Sequence, residues 1–205
     1  MNVGKDKHQK SFYVQETLLR QHSLFFKKAL SRDWKEKVER VVNLPEDESA
    51  VFAIYIEFLY SGNLAVMPDG LDPIDAARLE QLRLCKVYVL AEKLQDMETR
   101  NRAIQGLLYS SKQVRPGNRT ICPGTDAVKI IYNGTLPGSM ARKLLVDYYT
   151  YRGTGSWVIN HGGWPEDFLI DLATNLMDKR AMPDDPTRYG DGAEYMDKEK
   201  DKSDG

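Results

Sequence analysis

The sequence predicts an α+β fold in which a mainly helical cluster is flanked by a short β-sheet and followed by a helical C-terminal extension. Short segments rich in aromatic and β-branched residues occur near the N-terminus and are typical of strands. Apolar residues at helical spacing fill most of the remaining chain up to about residue 180. A proline- and glycine-rich stretch divides the 205 residues, which contain no internal repeat that would indicate a solenoid.

The predicted strands and the first helix lie within residues 1–44. Ser11-Phe12-Tyr13-Val14 is typical of a strand, and the polar run before it predicts a turn from a shorter N-terminal strand. Apolar residues recur at helical spacing over 17–31, which predicts a helix with Ser23 as the start of a second helical piece. Residues 38–44, around Val41-Val42, predict another strand.

Three longer helices are predicted next. Pro45-Glu46-Asp47 is typical of a helix start, because acidic side chains interact favourably with the N-terminal end of the helix dipole, and Gly62 suits a left-handed cap. Residues 65–76 contain prolines, a glycine and aspartates and predict a loop. The apolar run from Leu79 to Leu94 is too long for a strand and predicts a central helix, and an amphipathic helix follows over 97–108.

The chain organisation follows from where proline, glycine and charge concentrate. Residues 1–110 form the first predicted domain, and 111–124 are a linker marked by Pro-Gly pairs. Residues 125–181 are a helical extension. Residues 182–205 are rich in charge and poor in large aliphatic side chains, which predicts a disordered charged tail.

The extension contains three predicted helices and, over 153–163, a glycine-rich loop. The helices start at Thr125 or Asp126, at Ser139 and at Pro165. A segment of about 57 residues with three short helices is expected to be only marginally stable alone, because it buries a small fraction of its unfolded surface. We therefore expect residues 125–181 to pack onto residues 85–110. The alternative is that the linker keeps the extension separate from the domain and that the extension folds when it binds a partner.

Composition excludes several classes of ligand. A net charge of −1 and a pI of about 6.3 give no reason to expect binding to nucleic acid or to an anionic membrane. No apolar run is long enough to span a bilayer, and residues 1–7 contain no signal core. The two cysteines are far apart in the sequence and are predicted to be reduced thiols that form neither a disulfide framework nor a zinc site. The three histidines are also too far apart to predict a metal site. We expect no cofactor and an intracellular location, nuclear or cytoplasmic.

One loop resembles part of a hydrolase site. His161-Gly162-Gly163 is similar to the oxyanion loop of esterases, but that loop serves a serine on a G-x-S-x-G turn, which the sequence lacks. Gly153 and Gly155 match the first two glycines of a G-x-G-x-x-G motif, but Val158 stands where the motif needs its third glycine, so the motif is incomplete. The sequence therefore predicts that the chain is not an enzyme, with a hydrolase as the remote alternative.

The first 110 residues resemble a BTB/POZ domain, segment by segment and in order. The resemblance includes the family's F-x-V and L-L positions, its S-x-F-F segment, the F-L-Y-T-G ending of a helix and the A-x-K-L helix after it. It implies the family's fold. The matching segments are Val3-Gly4 with Ser11 to Leu19, Gln21 to Phe26, Trp34-Lys35-Glu36, Val41 to Asp47, Val51 to Gly62, and Leu84 to Leu94.

The extension is similar to the C-terminal extension of many fungal BTB proteins, chiefly through Ser139 to Asp147. Two features depart from the family's pattern. Gln15-Glu16 stands where the family has a histidine-lysine pair, which removes a positive charge from a surface of the fold. The chain also begins inside what would be the family's first strand, which predicts a truncated N-terminal strand, with Met1 either a misplaced start or a real one.

The resemblance implies a non-enzymatic protein-interaction module that acts through self-association or through a protein partner, as a homodimer or as a heterodimer with another BTB protein. We expect the apolar residues of segments 18–30 and 51–60 to exceed what one core needs, so that part of them forms a surface. The candidate interaction surface is Leu18, Leu19, Phe25, Phe26, Phe58 and Tyr60.

The alternative function is a substrate adaptor that binds the cullin scaffold of a ubiquitin ligase. The resemblance implies a cullin contact with a hydrophobic-x-acid motif just before the helix at 84–94. Arg83-Leu84-Cys85 occupies that place without the acid, and Arg78-Leu79-Glu80 has the acid but begins with arginine.

Overall fold

The computed structural model describes residues 1–30, 41–160 and 162–181, and the predicted α+β class is confirmed. Some features predicted from the sequence lie wholly or partly outside these residues. They are the end of the first helix, Trp34-Lys35-Glu36, the first part of the 38–44 strand, His161 and the charged tail.

Within the described residues the sheet has three short strands, β1 (Asn2–Val3), β2 (Lys10–Ser11) and β3 (Asn43–Leu44), in the order β2-β1-β3. β1 pairs antiparallel with β2 and parallel with β3, with Val3 opposite Lys10 and Leu44. The predicted strand at 11–14 is shorter in the structure, although the Phe12 amide still donates to the Met1 carbonyl at 2.8 Å. Gly4 ends β1 with a φ of +90°, a conformation that favours glycine.

Two short helices, α1 (Glu16–His22) and α2 (Leu24–Ala29), follow the first hairpin. They are separated at Ser23, as the sequence predicts, because its hydroxyl accepts a hydrogen bond from the Phe26 amide and caps α2. The same hydroxyl donates to the Leu94 carbonyl at 2.6 Å, which joins α2 to the end of the central helix.

The next three helices are α3 (Ser49–Ser61), α4 (Pro73–Lys93) and α5 (Met97–Lys112). Gly62 caps α3 with a φ of +73°, as predicted. The predicted loop over 65–76 ends earlier, because the Asp72 carboxylate accepts from the Ile74 and Asp75 amides and Pro73 occupies the first turn of α4.

The described part of the extension contains four helices, α6 (Thr125–Gly134), α7 (Met140–Arg152), α8 (Gly155–Asn160) and α9 (Glu166–Lys179). The prediction of a glycine-rich loop over 153–163 is wrong in its first half, where α8 forms. Trp157 of α8 packs edge-on against Tyr149 of α7, with ring centroids 5.8 Å apart, and this contact holds the short helix in place.

Two apolar cores lie on opposite sides of α4. Val87 and Leu90 face the core that contains the sheet and helices α1 to α3. Leu84, Cys85 and Tyr88 face a second core, which α5 shares with buried side chains of α6, α7 and α9. The prediction that the extension packs onto residues 85–110 is therefore confirmed by the contacts of the second core.

Candidate protein-interaction surface

The structure divides the six predicted surface residues into two groups. Leu19, Phe26 and Phe58 are at most 2% exposed, so their placement on a surface is wrong. They belong to the core beneath the sheet, where Leu19 of α1 and Phe26 of α2 lie in the same apolar cluster as Phe58 of α3. Leu18 and Phe25 are half-buried at the edge of that core, and Tyr60 is exposed.

Two further exposed side chains of this region were missed by the sequence analysis. Tyr13 is 98% exposed and Leu24 is 53% exposed. Tyr13 points outward because the chain alternates: its neighbour Phe12 packs edge-on against Phe52, with centroids 5.1 Å apart. That alternation is visible in the sequence and would have identified Tyr13 as an outward-facing aromatic residue.

The segment that carries Tyr13 is held beside the end of α3. The backbone amide of Gln15 donates to the Tyr60 hydroxyl at 3.2 Å, which places the exposed Tyr60 next to residues 13–15. Aromatic side chains bury a large area at a low cost in conformational entropy, so exposed tyrosines are effective anchors in protein interfaces.

A groove of about 350 Å³ opens on the side of β1, β2 and α1. The Met1 ammonium lies along it and donates to the Phe12 carbonyl at 2.9 Å, and its burial lowers the pKa of this amine. Among the described strands β2 is an edge, with its outer side unpaired. The apolar residues that line the groove are Met1, Phe12, Tyr13, Val14, Leu19, Leu30, Val41 and Val42.

The residues considered for a cullin contact are inside α4 and do not precede a helix. Leu84 and Cys85 are buried in the second core. Glu80 is also buried, where its carboxylate accepts from the Ser110 hydroxyl at 2.6 Å and lies 3.8 Å from the Arg115 guanidinium. This acid therefore joins α4 to α5 and is not available at the surface.

A second concavity, of about 580 Å³, lies where the 111–124 segment and α6 meet α4. Its polar groups already hold the chain together. The Gln81 amide donates to the Ile121 carbonyl at 2.8 Å, and the Tyr149 hydroxyl donates to the Pro123 carbonyl at 2.9 Å. This cavity lies between packed segments of the chain, and Cys122, Asp126 and Lys129 also line it.

The two thiols are not activated as nucleophiles. Burial raises the pKa of Cys85 to about 12, and burial also raises the pKa of the half-buried Cys122. His161, the centre of the hydrolase alternative, lies outside the described residues. Over residues 1–30, 41–160 and 162–181 there is no cluster of side chains suited to a metal ion and no helix long and apolar enough to cross a membrane.

The comparison with protein families agrees with the fold. The family model of the BTB/POZ domain matches residues 2–99, which include the sheet, helices α1 to α4 and the first turn of α5. No curated protein and no solved structure matches the chain.

Proposed function

We propose, from the premise that residues 2–99 are a BTB/POZ domain, that this chain is a non-enzymatic interaction protein that associates with a second BTB/POZ domain. The family is one of protein-interaction modules, and such domains mediate dimerisation. The surface that we assign to the association comprises Tyr13, Leu18, Leu24, Phe25 and Tyr60, with the groove beside β2. The partner is a second copy of this chain or another BTB protein.

The observation that carries this proposal is the nearly complete exposure of Tyr13 beside an apolar groove. An isolated exposed tyrosine is common on protein surfaces. Here Tyr60 adjoins the same segment, and the unpaired edge of β2 runs alongside. Aromatic anchors next to a pocket are the usual centre of binding energy in an interface.

Sedimentation of the full chain and of Tyr13→Ser tests the proposal. We expect the wild-type chain to form a dimer at micromolar concentration and the variant to raise the dimer Kd by at least about 10-fold, the loss typical of an aromatic hot spot. Tyr109→Ser is the matched control, because Tyr109 is an exposed tyrosine on α5. A wild-type chain that stays monomeric throughout a dilution series, with no BTB partner captured, contradicts the proposal.

The second candidate is the cullin adaptor. The observation in its favour is that the extension is packed against the domain through a shared core, so the two present one continuous surface to a scaffold protein. Retention of the chain by an immobilised cullin N-terminal domain at tens of micromolar would support this function. A lack of retention would argue against it and would leave self-association as the proposed function.

A further inference from the structure

Helix α9 carries an apolar stripe on its outer side. Leu169, Ile170, Leu176 and Met177 are between 38% and 65% exposed, and Ala173 is exposed between them. At about 100° of rotation per residue, these five side chains lie within one sector of roughly 120° centred on Ala173. The helix therefore has a continuous apolar face that no described part of the chain covers.

The opposite side of α9 is fixed by contacts within the chain. Phe168 and Leu172 are buried, and Phe168 stacks on Trp164 with ring centroids 5.3 Å apart. The Asn175 amide donates to the Thr150 hydroxyl of α7 at 2.8 Å. Because this inner side is already occupied, α9 cannot turn its outer stripe into the core of its own chain.

The stripe is symmetric about Ala173. Ile170 and Leu176 lie three residues to either side, and Leu169 and Met177 lie four residues to either side. A twofold axis that passes beside Ala173 would therefore place apolar residues opposite apolar residues along the whole stripe. The small Ala173 side chain would lie at the crossing point, where it permits close approach of two helices.

The charges at the two ends follow the same symmetry. Glu166 lies seven residues before Ala173 and Arg180 lies seven residues after it, so both fall on the stripe, about two turns from its centre. Both side chains are exposed, and within the described chain neither forms an ion pair. In an antiparallel pair of these helices, each acid would face the partner's base.

We infer that α9 pairs antiparallel with α9 of a second copy of this chain, with Ala173 at the crossing and Glu166 facing the partner's Arg180. A helix of 14 residues is about 21 Å long, so the contact is smaller than a standard interface and associates weakly on its own. It uses a surface separate from the Tyr13 surface and does not depend on the proposed function.

Disulfide trapping tests the position of the twofold axis. In a full chain that carries Cys122→Ser, the substitution Ala173→Cys should give a covalent dimer under mild oxidation, because a disulfide needs Cα atoms within about 7 Å. The matched control is Thr174→Cys, because Thr174 is also exposed but lies about 100° around the helix, so this variant should remain monomeric. Equal cross-linking of the two variants, or none of either, would overturn the inference.

A charge exchange tests the pairing of the ends. In a Tyr13→Ser background, which removes the other proposed surface, Glu166→Arg and Arg180→Glu should each reduce the yield of the Ala173→Cys dimer by about 10-fold, because like charges then face each other twice per dimer. The two substitutions together should restore the yield. If the double variant cross-links no better than the single ones, the antiparallel pair is wrong, whereas the result of the Tyr13 experiment stands unchanged.

Discussion

At the scale of single residues, Asp96 holds the turn between α4 and α5. It is fully buried, and its carboxylate accepts from the Thr99 amide at 3.0 Å and from the Thr99 hydroxyl at 2.8 Å. Asp96→Ala removes both acceptors and leaves buried donors unpaired. We expect it to lower the free energy of unfolding by about 1–3 kcal/mol, measured by urea denaturation.

Two comparisons show whether burial sets this cost. Asp72 caps α4 in the same way but is exposed, so water can replace its carboxylate and Asp72→Ala should cost clearly less. Asp96→Asn keeps an acceptor for the Thr99 amide and should recover part of the stability. Equal losses for Asp72→Ala and Asp96→Ala would contradict the assignment.

At the scale of elements, the close approach of α6 to α4 depends on Gly134. A Cβ atom built at this position would lie 2.8 Å from Val89 Cγ2 and 3.2 Å from Val89 Cβ. Alanine is the better helix former by about 1 kcal/mol, but Val89 is β-branched and cannot rotate away without strain. We expect Gly134→Ala to destabilise the chain by about 1–3 kcal/mol in thermal or urea unfolding.

Gly155→Ala is the control for that substitution. Gly155 begins α8, and no atom lies within 4 Å of a Cβ built there, so alanine should leave stability unchanged or raise it slightly. If Gly134→Ala were as stable as Gly155→Ala, the two helices would be able to separate without cost, and the close approach would not contribute to the fold.

The elements also show what the sequence can predict. Helices α3 to α7 and α9 were predicted because each has apolar residues at helical spacing and a recognisable start or end. The start of α4 was predicted too late, although Asp72-Pro73 is itself a typical cap and first-turn pair. Helix α8 was missed because its stability comes from Trp157 packing on Tyr149, a contact between residues of two helices that no local pattern reveals.

The candidate surface was predicted only in part for a related reason. Apolar spacing marks Leu19, Phe26 and Phe58 as well as Leu18 and Tyr60, but it does not indicate which of these side chains a neighbouring helix covers. Three of the predicted residues therefore proved to be core. Tyr13 could have been identified from strand alternation, whereas the exposure of Leu24 depends on how α2 docks.

At the scale of the whole molecule, α4 is shared between the domain and the extension. One side of it belongs to the core beneath the sheet, and the other side faces α5 and the extension helices. The division into a domain at 1–110, a linker at 111–124 and an extension at 125–181 remains a prediction. The shared core indicates that these segments unfold together, because removing one would expose buried apolar side chains of the other.

The thiol of Cys85 reports on this shared core. It is fully buried with a pKa raised to about 12, so in the full chain carrying Cys122→Ser it should react slowly with a thiol reagent at neutral pH. A chain that ends at Lys112 retains the same single cysteine but lacks the helices that complete the second core. We expect its thiol to react at least about 10-fold faster and its melting temperature to fall, since the apolar side chains around Cys85 lose their cover. Equal reactivity and equal melting temperature in the two chains would show instead that residues 1–112 are complete without the extension, and that the extension is free to fold on a partner.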